Sequence, residues 1–339
     1  MQKNKKGPFM RVVLILNPTS GQSTLATEHG TVQEHESTIV QCLRDNGIEP
    51  EVRYTTPEET GRGLAQQAAR EGADIVIAAG GDGTIHAVAC GLIDTQSALG
   101  IIALGTMNNI AHSLSLPENI EDACAVIMQG DTGLIDVGMI DDDVFLEVVG
   151  IGLEAALFPA AEEVKSPGLR STIDGIITGL KALFAYRPPR LRLSFDNHKG
   201  RTFTAIEVTV CNSPYYGVHL QVAPGTVMDD GLLDVVVYRN FSKLEYLRHA
   251  LAISQGRRLF QARIMQRKFK VLRVASTVPV PIHADGVPHG TTPVTIRIKP
   301  GALRVRIPRK VSDGPAMTHP EDQIVQHHEA ARATQPSLD

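Results

Sequence analysis

Asp74-Ile-Val-Ile-Ala-Ala-Gly-Gly-Asp-Gly-Thr84 reads as a buried strand that breaks into a glycine cluster and turns straight into a helix lasting to Leu92. Backbone N–H groups of such a turn converge on one point, and the helix dipole adds positive potential there, which suits phosphate. Glycine is needed because a Cβ would hold phosphate oxygens away from the backbone. Asp82 inside the loop repels bare phosphate, so its presence implies a divalent cation between carboxylate and phosphates. The loop lacks a Gly-Lys-Ser/Thr ending and is not a Walker loop. Without a ligand the same residues form a tight strand-to-helix turn.

The pattern repeats on either side. Arg11 to Leu16 is a strand ending in Asn17-Pro-Thr-Ser-Gly21, followed by a helical stretch to about Asp45. Ile48 to Tyr54 reads as a second strand and Thr60 to Glu71 as a helix closed by Gly72. Leu99 to Leu104 is a further strand, ending in Gly105-Thr-Met-Asn-Asn109. Strand and helix alternating in this rhythm predict an α/β, doubly wound parallel sheet. Its loops emerge at the carboxyl edge, where such sheets bind ligands, and three converging loops point to a nucleotide.

From about Leu134 the rhythm changes to β-like runs: Val144 to Val149, Leu191 to Phe195, Thr204 to Val210, Leu232 to Tyr238 and Val294 to Ile298. These predict a mostly antiparallel second domain. Two helices interrupt it. One spans Thr172 to Ala185, with Ile173, Ile176, Ile177, Leu180 and Phe184 on one face; the other opens with the capping box Ser242-Lys-Leu-Glu245. Asp229-Asp-Gly-Leu-Leu-Asp234 suits either Mg²⁺ or a plain surface turn, and an Asp on the loop His283-Ala-Asp-Gly286 is either a general base or a turn residue. The expected boundaries are 10–133 for the nucleotide domain, with about 300–310 returning to it, 134–299 for the β-rich domain and 311–339 for a mobile polar tail.

Composition sets the outer limits. The chain has 339 residues, 42% apolar and 21% charged, so it can build real cores and divides naturally into two domains. Its formal net charge of −4 argues against nucleic acid as a partner. No apolar run is long enough to span a bilayer. Cys42, Cys90, Cys124 and Cys211 are widely spaced, which predicts reduced thiols and a cytoplasmic setting.

The motifs occur in a fixed order: Asn17 to Gly21, Gly80 to Thr84 with Gly91-Leu92, Leu104 to Asn109, Gly150-Ile-Gly-Leu-Glu-Ala155, Tyr215-Tyr-Gly217, Ala223-Pro224, Asp229 to Val235 and Asp285-Gly286. This series resembles the diacylglycerol kinase catalytic-domain family, over about Arg11 to Pro308. The resemblance implies a Rossmann-like nucleotide domain, a C-terminal β-sandwich and a cleft between them. It implies an ATP-dependent kinase acting on a lipid with a free hydroxyl, diacylglycerol-like or sphingoid, with Mg²⁺ as cofactor. By matching positions, Gly80, Gly81, Asp82, Gly83, Thr84, Thr106 and Asn108 line the ATP phosphates, with Asn17 nearby. A threonine after the second strand, Thr55 or Thr56, joins them, Thr56 being the assigned one. Asp285 takes the general-base position. Asp230 with the carbonyls of Val227 and Leu232 matches a Mg²⁺ site, and Asp82 belongs to the acidic network around the nucleotide-bound metal.

Departures from the family pattern are local. Asn109 stands where Asp is usual, Val287 where Glu is usual, His86 where Asn is common and Glu154 where Asp is common. Asn109 removes a negative charge near the expected metal. Two other readings compete: an NAD kinase-like phosphotransferase, and a nucleotide- or lipid-binding regulator with weak catalysis. Arg239 to Arg273 holds ten Lys or Arg and one acidic residue, Glu245, a basic block suited to anionic headgroups and hence to peripheral membrane association. Exposed strands in the β half give a homodimer a physical basis.

Overall fold

Strands β1 (Val12–Leu16) and β3 (Ile75–Gly80) are buried along their whole length. Their side chains alternate between two covered faces, which is why they read as unbroken apolar runs. Val13, Ile15, Val76 and Ala78 pack under α2 (Arg62–Arg70) and α3 (Asp82–Leu92). Val12, Leu14, Leu16, Ile75, Ile77 and Ala79 pack under α1 (Val32–Asp45) and α5 (Ile120–Gln129). With β2 (Glu51–Tyr54) and β4 (Ala98–Ala103) they form a parallel sheet ordered β4-β3-β1-β2, the doubly wound arrangement expected from the sequence. This computed structural model describes residues 10–20, 32–157, 177–179, 181–196, 198–217, 220–257 and 259–309. The expected tail, the residues before position 10 and part of the helix expected at Thr172 to Ala185 lie outside them.

The second half is a two-layered antiparallel β structure. One layer contains β8 (Arg190–Phe195), β12 (Val271–Ser276) and β15 (Val294–Ile307). The other runs from β14 (Val287–Thr291) through β13 (Pro281–Ala284), β7 (Val148–Gly152), β9 (Arg201–Cys211) and β10 (Leu233–Arg239) to β11 (Ile264–Phe269). Strand β9 serves both layers: Arg201–Thr204 pair with β8, and Glu207–Cys211 pair with β7. Leu191, Leu193, Leu272 and Ile296 meet Val149, Val208, Val235 and Ile282 in the core between the layers. The capping box before α6 (Lys243–Ser254) is present: Glu245 N–H donates to Ser242 Oγ (3.3 Å), and Ser242 N–H donates to Glu245 Oε2 (2.9 Å).

Three elements differ from the sequence reading. The run Val144 to Val149 is two strands, β6 (Asp143–Phe145) and β7, because the N–H groups of Leu146, Glu147 and Val148 donate to the Asp285 carboxylate. Strand β5 (Asp131–Ile140) starts before Leu134 and pairs with β15 along most of its length. Strand β15 continues past Ile298 to Ile307, through a register shift between Lys299 and Leu303. Beyond that shift Val305 pairs in parallel with Leu99 of β4, so one strand belongs to the antiparallel layer and then extends the parallel sheet.

Asp136 holds that crossing. It is 3% exposed; its Oδ1 accepts from Gly301 N–H (2.7 Å) and its Oδ2 from Gly231 N–H (2.6 Å). Gly301 has φ +56°, which suits glycine at this turn. The four cysteines are free, and among the described residues no helix is long and apolar enough to cross a membrane.

Candidate active site

The two glycine loops touch backbone to backbone. A Cβ on Gly105 would lie 2.7 Å from Gly81 Cα, and one on Gly80 would lie 2.7 Å from Thr84 Cβ. Only glycine allows these approaches. Asn17 locks the first loop from the neighbouring strand: its Nδ2 donates to Thr84 Oγ1 (3.1 Å), while its Oδ1 accepts from Thr19 N–H (2.9 Å) and Thr19 Oγ1 (2.8 Å). Asn17, Gly80, Gly81 and Thr84 therefore come together as expected from the sequence, with Gly83 exposed on the first turn of α3. Thr106 is exposed at the tip of the other loop. The Asn108 side chain closes its own loop, accepting from Gly105 N–H (3.0 Å) and donating to the Gly105 carbonyl (3.0 Å). Of the two candidate threonines, Thr55 is buried at the end of β2, and Thr56 is exposed with its hydroxyl accepting from Glu59 N–H (3.1 Å).

Asp82 has a structural partner that the sequence did not reveal. Its carboxylate accepts from the backbone N–H groups of Ile110, Asn108 and Asn109, at the start of α4 (Asn109–Ser113). A carboxylate is favourable at such a helix start, so Asp82 has a role in clamping one loop to the other without any cation. Burial raises its pKa, those N–H donors pull it back down, and Asp285 pushes it up again.

A cleft of about 270 Å³ joins the two halves of the chain. Arg62, Asp82, Gly83 and His86 line it from the parallel-sheet side; Asp143, Glu147, Asp285 and His289 line it from the β side. Asp285 sits in the β13–β14 turn with φ +45°. Its Oδ1 accepts from Glu147 N–H (2.9 Å) and Val148 N–H (2.8 Å), and its Oδ2 accepts from Leu146 N–H (2.7 Å). The less occupied oxygen, Oδ2, lies 3.4 Å from His86 Nε2. Val287 is exposed beside it at the rim, an apolar lip where the family pattern has a carboxylate.

His86 joins the halves electrostatically. Burial works against its charged form, but contact with Cys90, the charge of Asp285 and a hydrogen bond to Val144 outweigh it and raise its pKa to about 9. The imidazolium is thus the neutral-pH form, set against the Asp285 carboxylate. A raised value means that its stabilisation is complete below the ordinary value of 6.5 and is lost as pH rises through about 9. His86→Asn should lower the thermal midpoint by about 2 °C at pH 6. That difference should vanish above pH 9 in a pH series of melts.

Sequence reasoning missed Glu147, a single polar residue in an apolar run. It is 6% exposed, and burial, then Asp285 and Asp82, raise its pKa to about 9.

The expected Mg²⁺ position at Val227, Asp230 and Leu232 looks different from its sequence. Asp230 Oδ2 pairs with Lys268 Nζ (2.6 Å), which also reaches Asp234 Oδ2 (3.1 Å), while Asp230 Oδ1 accepts from Leu232 N–H (3.0 Å). An ammonium already occupies the place between the carboxylates, so these residues do not fit a divalent cation as placed. Among the described residues no group of three His, Cys, Asp or Glu side chains is arranged to hold a metal ion.

Comparison with known proteins agrees with this architecture. The family description "Diacylglycerol kinase catalytic domain" matches residues 11–140, and "YegS C-terminal NAD kinase beta sandwich-like domain" matches residues 147–307. The chain is 27% identical over 291 residues to "Diacylglycerol kinase" of Bacillus subtilis, covering 84% of this chain and 91% of that protein. It is 27% identical over 305 residues to "Probable lipid kinase YegS" of Salmonella typhimurium, covering 88% and 97%. Its fold is similar to that of a diacylglycerol kinase from Bacillus anthracis, with TM-score 0.67 at 22% identity over 89% of this chain and 98% of that one. Two matched regions that follow one another from residue 11 to 307 and meet at the cleft place this chain in the diacylglycerol kinase and YegS-like family of lipid kinases.

Proposed function

We propose that this kinase transfers the γ-phosphate of ATP to the hydroxyl of a diacylglycerol-like or sphingoid lipid in the cleft between the Gly80–Thr84 loop and Asp285. The observation that carries this reading is that Asp82 and Asp285, from opposite halves of the chain, line one cleft. The N–H groups at the start of α3 and the glycine contact between the loops suit the triphosphate. Asp285 Oδ2 faces the cleft from the other side and takes the proton as the acceptor oxygen bonds to phosphorus and ADP leaves. His86 contributes positive charge beside the transferred group. Mg²⁺ bound to ATP would neutralise part of the phosphate charge, with Asp82 and Asp285 the carboxylates nearest to it across the cleft.

Labelled ATP offered with diacylglycerol, monoacylglycerol, sphingosine, ceramide, undecaprenol or NAD tests the reading. Label in an organic-extractable product supports it. Label in NADP favours an NAD kinase-like activity, and ATP binding without transfer favours a regulator.

The acceptor is reached by peripheral contact with a membrane. Leu244, Leu247 and Leu251 are exposed along one stripe of α6, with Arg248 between them and exposed Phe184 close by, its carbonyl accepting from Lys243 Nζ. Part of the basic block is already engaged, since Arg263 pairs with Glu245 (2.7 Å) and Lys268 with Asp230. The apolar stripe with Lys243 and Arg248 is the better docking surface. The double variant Leu244→Ser/Leu251→Ser should weaken binding to phosphatidylglycerol-containing vesicles by roughly tenfold or more in a sedimentation assay. Turnover on detergent-dispersed lipid should change far less.

A further inference from the structure

Position 109 is where this chain lacks the acidic residue of the family pattern, and the structure shows what faces it. Asn109 opens α4, is 4% exposed and donates from its side chain to the Glu147 carboxyl. Its own carbonyl oxygen, Oδ1, is buried without a hydrogen-bond partner among the described residues. Glu147 comes from the opposite side of the cleft, and its backbone is held at both ends. Its N–H donates to Asp285 Oδ1 (2.9 Å), and its carbonyl accepts from Asn212 N–H (2.9 Å) and Ser213 N–H (3.2 Å).

A carboxyl buried beside two other carboxylates keeps its proton, and a protonated carboxyl has one O–H to donate. The neighbouring group that needs a donor is Asn109 Oδ1. An acid and an amide complement each other here: the amide N–H donates to the acid carbonyl while the acid O–H donates to the amide carbonyl. One arrangement therefore accounts for the orphaned oxygen and for a carboxyl in so acidic a place.

Resting on the phosphotransfer reading of this cleft, we propose that Asn109 and Glu147 form an acid–amide pair across it, making Glu147 a positioning residue for Asp285. The pair holds residue 147 where its N–H meets the Asp285 carboxylate. Glu147 acts as a neutral hydrogen-bonding partner; it takes no proton from the substrate.

Four variants test this through unfolding and through kinetics: E147L, E147Q, N109D and N109D/E147Q. In E147Q two amides face each other and still make two hydrogen bonds. The aliphatic side chain of E147L makes none, and N109D crowds two acids together. E147L and N109D should lower the unfolding midpoint, while E147Q and N109D/E147Q should stay near wild type. In the lipid kinase assay E147L should lose about tenfold to hundredfold in kcat with little change in KM for ATP. E147Q should keep at least about a third of wild-type kcat, and the exchange N109D/E147Q should recover most of what N109D loses.

If E147Q loses as much kcat as E147L, Glu147 acts through its charge or proton and the pair is overturned. A silent E147L, or additive effects of N109D and E147Q on unfolding, also overturns it. Were wild type to phosphorylate no lipid, the functional reading would fall, and the unfolding series alone would still decide whether the pair exists.

Discussion

Asp285→Asn should reduce lipid phosphorylation by about 10²- to 10⁴-fold, the contribution expected of a positioned general base. The substitution leaves the backbone conformation of the turn accessible and changes what the side chain can accept. Residue 285 has φ +45°, a conformation that Asn tolerates about as well as Asp, so the turn itself is not strained. What changes is the oxygen count. Asp285 offers two oxygens to three N–H donors from Leu146, Glu147 and Val148, and still has Oδ2 near His86. Asn has a single oxygen, and its amide must point a donor at another donor. Proton acceptance and the loop clamp are lost together, whereas the Asn17–Thr84 contact lies on the other wall and remains. ATP affinity should therefore persist in equilibrium binding, while turnover collapses.

Asp136→Ala should cause the largest loss of stability of any single change considered, roughly 3 kcal/mol or more by urea unfolding. Two N–H groups, on Gly231 and Gly301, would lose their only carboxylate partner in partly buried positions. Each unsatisfied donor costs about 1–3 kcal/mol, and a charged acceptor lies toward the upper end. Asp136→Asn keeps one acceptor oxygen and should lose about half as much. Position 136 has this weight because it joins three parts of the chain: β5, the turn carrying Asp230 and the shift in β15 beyond which Val305 meets Leu99. Loss of the clamp should also lower activity indirectly, by loosening the relation of Asp285 to Asp82.

The parallel-sheet half was readable because its physics is local. A strand covered on both faces is a continuous apolar run, and a glycine cluster at its end marks the loop where backbones touch. Asn17, Gly80, Gly81, Asp82 and Thr84 could all be found that way. The β half was read as five runs, but its sheet depends on partners far apart in sequence. The run Val294 to Ile298 stops short of Pro300-Gly301, yet the strand continues beyond that turn to Ile307, because Asp136 holds the turn from 165 residues away. Glu147 stayed hidden for a similar reason: nothing near it in sequence indicates that Asn109 and Asp285 are its neighbours.

Asp82 and Asp230 show the same limit from the opposite direction. A carboxylate in a phosphate loop implied a cation, but the start of α4 provides three N–H donors for Asp82. Three carboxylates at a strand entry suited Mg²⁺, but Lys268 reaches two of them from β11. In both places the partner of the carboxylate, backbone N–H groups for Asp82 and an ammonium for Asp230, comes from a segment that no spacing rule connects to the motif.

The most direct measurement is transfer of label from γ-labelled ATP to a lipid hydroxyl by wild type and by Asp285→Asn, with ATP binding followed in parallel. The expected result is a phosphorylated, organic-extractable lipid made by wild type and nearly absent with Asp285→Asn, while both proteins bind ATP. Equal transfer by the two proteins, or ATP binding by wild type with no lipid phosphorylated, would contradict a phosphotransfer site in this cleft.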